Sequence, residues 1–302
     1  MFEINLLGNG GMMPLPHRFL TSMYLQYKGS SILVDCGEGT QIALQTKNLG
    51  VKSLDLMLIT HLHGDHIIGI PGVLLLAANQ GRTAPMTIVG PTGIRDVVSG
   101  LLMAAQFLPF EVQCIEINQE EYTMNFNELT IQAFLVDHSV ECLGYSIELP
   151  RAGKFDVKKA KELNIDMRFW NKLQAGEVVE IDGNTYSPDM VLGPKRRGLK
   201  VTYVTDSRPT DSIVNHARKS DLFICEGMYG DNNMQEKAIQ KKHMTFAEAA
   251  MLAKQADVDE LWLTHYSPSL TNPSEFLHNA TTIFENTYAF SQGNTVSLNF
   301  KK

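Results

Sequence analysis

An apolar run, Leu54 to Ile59, leads directly into Thr60-His61-Leu62-His63-Gly64-Asp65-His66, which puts three of the chain's nine histidines and a carboxylate within six residues. No packing requirement explains that density of polar rings, because burying them without partners is costly. A fold that buries the run must therefore present the imidazoles at a strand end. His61 and His63, two apart, can project to one side towards a metal ion; Gly64 allows a tight turn, after which Asp65 and His66 can face a second. Imidazole and carboxylate without thiolate suit a borderline ion such as zinc, and manganese or iron can use the same ligands.

Two ions need more ligands than this segment holds. His138 follows the apolar run Leu129 to Val136, Asp206 follows Leu199 to Val204, and His265 follows Glu260 to Leu263. Taken singly, each is better explained as a cap or a supporting hydrogen-bond partner. Their recurrence in one local context, each at the end of an apolar run, points to ligation along a sheet edge. Further strand-like runs are Phe2 to Leu7, Ser31 to Val34, Met86 to Val89, Leu143 to Glu148 and Leu222 to Cys225. Between them, helical patterns cover 40–48, 93–105, 157–163, 211–218 and 246–256, the last opened by a capping box, Thr245 with Glu248. Alternation of the two predicts an α+β or α/β class with helices covering sheets. His17, His216 and His278 have no such context and are read as surface residues.

The 302 residues are 44% apolar, enough for a core without staples, and the four cysteines contain no C-x-x-C pair, so a reducing compartment is expected. Met1 to Gly11 lack Lys and Arg and read as a first strand, not a secretory signal. The apolar run Ile70 to Ala78 falls short of the roughly 20 residues that span a bilayer, so no membrane contact and a cytoplasmic location are expected. Net charge is −7, but residues 151–200 hold 11 Lys and Arg against 7 Asp and Glu, a balance of +4, while the remainder stands at −11. Such a segment is either a solvated insertion or a local contact for a polyanion on a body that would otherwise repel one.

H-x-H-x-D-H with single downstream His, Asp and His resembles the metallo-β-lactamase superfamily, and the local wording resembles ribonuclease Z, the tRNA 3′-processing endoribonucleases. The matching stretches are Val34-Asp35-Cys36-Gly37-Glu38-Gly39-Thr40-Gln41, Ile59 to His66 with Ile70-Pro71-Gly72, His138 with Gly144-Tyr145, Asp206-Ser207-Arg208-Pro209, and His265-Tyr266-Ser267-Pro268. The resemblance implies one domain over 1–302, a four-layer αβ/βα sandwich with an inserted arm over 151–196 that grips the tRNA body. It further implies two zinc ions per chain, one on His61, His63 and His138, the other on Asp65, His66 and His265, bridged by Asp206. Asp65 would accept the proton of the attacking water, and Glu226 would orient His243 as the acid for the leaving oxygen.

Lys158, Lys159, Lys195, Arg196 and Arg197 are the basic residues expected to meet tRNA phosphates. The sequence departs from the family at the arm tip, where Met167-Arg168-Phe169-Trp170 replaces a common Gly-Pro pair. It departs again at Pro14-Leu15-Pro16-His17-Arg18-Phe19, which keeps the first Pro and the Arg of P-x-K-x-R-N but not its Lys or Asn. The family implies a homodimer, for which Ile67 to Ala78 is either an interface helix or core. The expected function is a metal-dependent endoribonuclease acting on precursor tRNA. A small-substrate phosphodiesterase or arylsulfatase-like hydrolase on the same fold is the alternative, and a metal-free RNA-binding relative is disfavoured because no ligand is missing.

Overall fold

The computed structural model describes residues 1–301. In chain order, β1 (Phe2–Gly8), β2 (Ser22–Tyr27), β3 (Ser30–Val34), β4 (Leu54–Leu58), β5 (Met86–Pro91) and β6 (Val112–Ile117) are followed by β7 (Glu121–Phe126), β8 (Leu129–Val136) and β9 (Cys142–Arg151). A short hairpin, β10 (Val179–Ile181) and β11 (Asn184–Tyr186), precedes β12 (Arg196–Val204), β13 (Leu222–Glu226), β14 (Leu261–Thr264), β15 (Thr287–Ala289) and β16 (Thr295–Leu298). Helices α1 (Thr40–Thr46), α2 (Gly64–Ile67), α3 (Ile70–Asn79) and α4 (Ile94–Leu102) follow strands of the first half, and α5 (Val157–Glu162) and α6 (Trp170–Gln174) lie between β9 and β12. α7 (Asp211–Ala217), α8 (Gln235–Lys241), α9 (Phe246–Ala256) and α10 (His278–Thr281) follow strands of the second half.

Two seven-stranded sheets form, in the orders β16-β1-β2-β3-β4-β5-β6 and β15-β14-β13-β12-β9-β8-β7. Side-chain alternation along each strand dictates the layering. In β4, Leu56 and Leu58 join the apolar layer between the sheets, whereas Met57 faces the helices on the outside. In β13, Leu222 and Ile224 point inwards while Phe223 and Cys225 pack under α7 and α9. The result is the expected sandwich of helices, sheet, sheet and helices. β3 to β6 run parallel, as do β12 to β15, so their carboxyl ends collect at one edge, the usual place for a ligand in such sheets.

Most predicted elements are present within a few residues of their expected ends, and α9 starts with the reciprocal Thr245–Glu248 capping box. β2, β6, β7, β10, β11, β15 and β16 lie outside the expected runs: β6 and β7 are edge strands, β7 with every other residue exposed, and β10, β11, β15 and β16 are only three or four residues long. Ile70 to Ala78 forms α3, whose Ile70, Val73, Leu74 and Ala77 are core.

The inserted segment leaves the sheet where Arg151 of β9 pairs with Arg196 of β12, at the end of β12 opposite Asp206, a strand length of roughly 30 Å from it. It has its own small core, in which Ala160, Ile165, Leu173, Val179 and Val191 are buried under Phe155, Phe169 and Trp170. The Trp170 indole N–H donates to the Ile165 carbonyl at 2.9 Å, which anchors the predicted tip residues to the arm. Because this cluster is separate from the sandwich core, Leu173→Ala should remove about 2 to 5 kcal/mol of the arm's local stability and little of the body's. Hydrogen exchange is expected to speed up across 157–190 while amides of β4 and β13 stay protected.

Candidate metal centre

The seven expected ligands stand just beyond strand ends at the common edge: His61 and His63 after β4, Asp65 and His66 in α2, His138 after β8, Asp206 after β12 and His265 after β14. Gly64 does not make a tight turn; His63, extended at φ −69° and ψ 149°, instead precedes the first turn of α2, which turns Asp65 and His66 inwards. Asp206 and His265 hold left-handed backbone conformations, at φ 49° and 57°, as does Asp35 at φ 55°. Each such residue costs of order 1 to 3 kcal/mol and persists only where the surroundings impose it.

The donor atoms converge on two points. His61 Nε2 and His138 Nε2 lie 3.0 and 3.4 Å from His63 Nδ1. His66 Nε2 lies 3.3 Å from His265 Nε2, and Asp65 Oδ2 is 3.6 and 3.4 Å from those two nitrogens. Asp206 addresses both groups: Oδ1 is 3.8 Å from His61 Nε2 and from His138 Nε2, and Oδ2 is 3.2 and 3.1 Å from His66 Nε2 and His265 Nε2.

Supporting hydrogen bonds fix which ring nitrogen faces the centre. Asp35, just past β3, accepts from the Thr60 N–H at 2.9 Å, from its hydroxyl at 3.0 Å, and from His66 Nδ1 at 2.8 Å. With its proton given to Asp35, the Thr60 hydroxyl accepts from His61 Nδ1 at 3.1 Å, and His138 Nδ1 donates to the Lys242 carbonyl at 3.2 Å. Three rings therefore have Nδ1 engaged by the protein and turn Nε2 inwards, the orientation that metal-binding histidines adopt. Burial, helped by the neighbouring imidazole of His66, pulls the His61 pKa well below its ordinary value. Burial works against charge on Asp206 and on His66, but the surrounding imidazoles hold Asp206 far below the carboxylate range, and Asp35 and Asp206 push His66 well up. The donor atoms of His61, His63, His138 and Asp206 lie within 4.8 Å of one another, as do those of Asp65, His66 and His265, and Asp206 Oδ2 reaches the second group too, so the donors fit a divalent transition ion at each point.

His243 lines the same cleft, with Glu226 buried behind it. Glu226, the buried end of β13, accepts from the Ser207 and Met244 N–H groups at 2.6 and 2.9 Å and from His243 Nδ1 at 3.2 Å. Burial would lower the His243 pKa, yet Glu226 raises it to about 9. The cleft encloses about 430 Å³, and Met12, Ser139, Tyr229, Lys237, Lys241 and Ser267 complete its wall. The basic residues singled out in the sequence are elsewhere. Lys158 and Lys159 are exposed on α5, and Lys195 and Arg196 are exposed at the arm's root. Arg197 is engaged by Asp221 at 3.1 Å and by Asp259. His17 and His278 are exposed, but His216 is not a plain surface residue: it stacks on Phe134 with centroids 4.0 Å apart.

Comparison with known proteins places this chain in a family. A ribonuclease Z of Lachnospira eligens is 53% identical over 99% of both chains. The chain belongs to the ribonuclease Z family. Residues 2–285 also match the family model described as "Anti-Pycsar protein Apyc1". Among solved structures, the short form of human tRNase Z superposes with a TM-score of 0.71 at 22% identity, covering 99% of this chain and 100% of that one. The metallo-β-lactamase fold protein YhfI of Bacillus subtilis does so with 0.70 at 21% identity, covering 98% of each chain. The sandwich is thus a metallo-β-lactamase fold.

Several supporting residues were not singled out as functional in the sequence. Asp35 was visible only as part of a family marker; its role needs a contact to His66, 31 residues away. Gly11 is another, since a Cβ there would lie 2.6 Å from His265 Cε1 and displace the ring. The Met12 N–H donates to Asp65 Oδ2 at 2.7 Å. Because Asp35 fixes the proton on His66 Nδ1, Asp35→Asn is expected to weaken zinc binding about 10- to 100-fold in a chelator competition assay.

Proposed function

We propose that this chain is a metal-dependent endoribonuclease that removes the 3′ trailer from precursor tRNA, leaving a 3′-hydroxyl on the tRNA and a 5′-phosphate on the trailer. The observation that carries the reading is the seven-residue cluster with His243, hydrogen-bonded to Glu226, beside it in one open cleft, in a chain of the ribonuclease Z family. His61, His63 and His138 would hold one ion and Asp65, His66 and His265 the other, with Asp206 between them; zinc suits the donors, and manganese or iron can replace it. Two such ions supply Lewis acidity, which makes water nucleophilic at neutral pH and offsets charge growing on the phosphate.

The protein's own groups divide the proton work. Asp65, fixed by the Met12 N–H, accepts a proton from the water as its oxygen bonds to phosphorus. As the bond from phosphorus to the tRNA 3′ oxygen breaks, His243 gives that oxygen the proton on Nε2, while Glu226 keeps Nδ1–H oriented. A small-phosphodiester hydrolase needs the same cluster but has no use for a separately folded arm, which favours a macromolecular substrate. Lys158 and Lys159 on the arm, with Lys195 and Arg196 at its root, would meet phosphates of the tRNA body without reading sequence. Arg197 would contribute through the root's structure, since its charge is met by Asp221 and Asp259. A homodimer would use the outer side of α3 and the segment after α4, where Ile68, Leu75, Met103 and Phe107 are exposed. Action on tRNA implies the cytoplasm; the four cysteines are free, and among the described residues no helix is long and apolar enough to cross a membrane.

His243→Ala should slow single-turnover cleavage of precursor tRNA by about 10² to 10⁴ while metal content stays the same; cleavage at the parental rate would remove the proposed acid. Excision of 157–190 leaves the neck, where the Gly193 N–H donates to the Lys154 carbonyl at 2.9 Å. That variant should bind tRNA more weakly and with a flatter salt dependence, by about 0.9 in the slope of log K against log salt for each lost contact to duplex phosphate. An unchanged slope in the folded variant would make the arm a solvated insertion.

A further inference from the structure

The cleft beside the ligand cluster has a basic wall that the reaction described above does not use. Lys237 and Lys241 are one helical turn apart on α8 and line the cleft with His243 and Tyr229. Both are exposed, and neither forms an ion pair among the described residues, whereas the neighbouring Lys242 is engaged by Asp137 at 2.8 Å. Like charges at this spacing repel, so the helix alone gains nothing from the pair. The surroundings nevertheless hold it in place. Lys237 Nζ lies 5.4 Å from the centroid of the Tyr229 ring, Ala238 anchors α8 against Met228 and Tyr229, and the His243 N–H donates to the Ala238 carbonyl at 2.9 Å. The helix that carries the lysines is therefore fixed relative to the His243 imidazole. Outside residues 151–200 the chain carries −11, which makes two uncompensated ammonium groups at the catalytic cleft a local exception.

We propose that Lys237 and Lys241 bind the RNA backbone phosphates that flank the scissile phosphodiester, and so position the strand against His243. This rests on the endoribonuclease reading and adds a second substrate contact, distinct from the arm. The flanking strand is single, and in such strands a basic groove tracks the backbone without reading bases. A lone small diester has no flanking phosphates to offer, so the two substrates should respond differently.

The test compares the zinc-loaded parent with Lys237→Gln/Lys241→Gln and Lys237→Arg/Lys241→Arg. For the glutamine pair, kcat/KM should fall at least tenfold more on precursor tRNA than on bis(p-nitrophenyl) phosphate. The slope of log(kcat/KM) against log salt should flatten by about 0.7 per lysine, or about 1.4 in all. The arginine pair, which keeps the charges, should recover most of the loss; a defect that arginine does not relieve, or one equal on both substrates, would mean a structural role and overturn the proposal. Parental activity and salt slope in the glutamine pair would overturn it too, leaving the endoribonuclease reading standing. A parent that cuts no precursor tRNA would overturn both.

Discussion

The Asp206 carboxylate lies where the two sheets meet, facing His66 of the first half at 3.2 Å and His265 of the second at 3.1 Å. Those positions depend on register. Val204 is paired with Cys225 in the parallel part of its sheet, and Val34 with Leu58 in the other, so a slip in either sheet would carry ligands away from the shared edge. The apolar layer between the sheets enforces both registers, because a one-residue slip would turn Leu199, Val201 and Tyr203 out of it. Tyr203 also crosses that layer, its hydroxyl 3.4 Å from Asp35 Oδ2. Hydrophobic packing thus sets the distance between carboxylate and imidazoles, and Asp35 sets the protonation of the ring that Asp206 meets.

Concentrating histidines and carboxylates in a buried edge is unfavourable without ions or reciprocal partners. Left-handed backbone at Asp35, Asp206 and His265 adds to that cost. The sandwich core is large enough to bear it, which accounts for a reactive cleft at the rim of an otherwise conventionally packed fold. Charge is then arranged in two places: a separately folded arm rooted at the far end of β12, and two lysines at the cleft itself. On the proposed reading the first would capture a large polyanion and the second align it.

Much of this was legible in the sequence because the ligands are singular residue types at the ends of apolar runs, as with Asp206 after Leu199–Val204 and His265 after Leu261–Leu263. Local periodicity also sufficed for α9, whose capping box is written in Thr245 and Glu248. It failed for β7, where Glu121, Thr123 and Asn125 face solvent at an edge and the apolar signal is thin. It failed differently for Asp35, Gly11 and Lys237, whose roles are contacts across the fold. The basic count in 151–200 likewise could not show that Arg197 is met by Asp221 and Asp259.

The most direct test is the metal content of the purified chain, measured by elemental analysis after reconstitution and removal of loosely held ions. The account requires about two zinc, manganese or iron ions per chain, both weakened together by Asp206→Ala because that carboxylate faces both ligand groups. Failure to retain any transition metal would contradict it, as would two ions that bind as tightly in Asp206→Ala as in the parent.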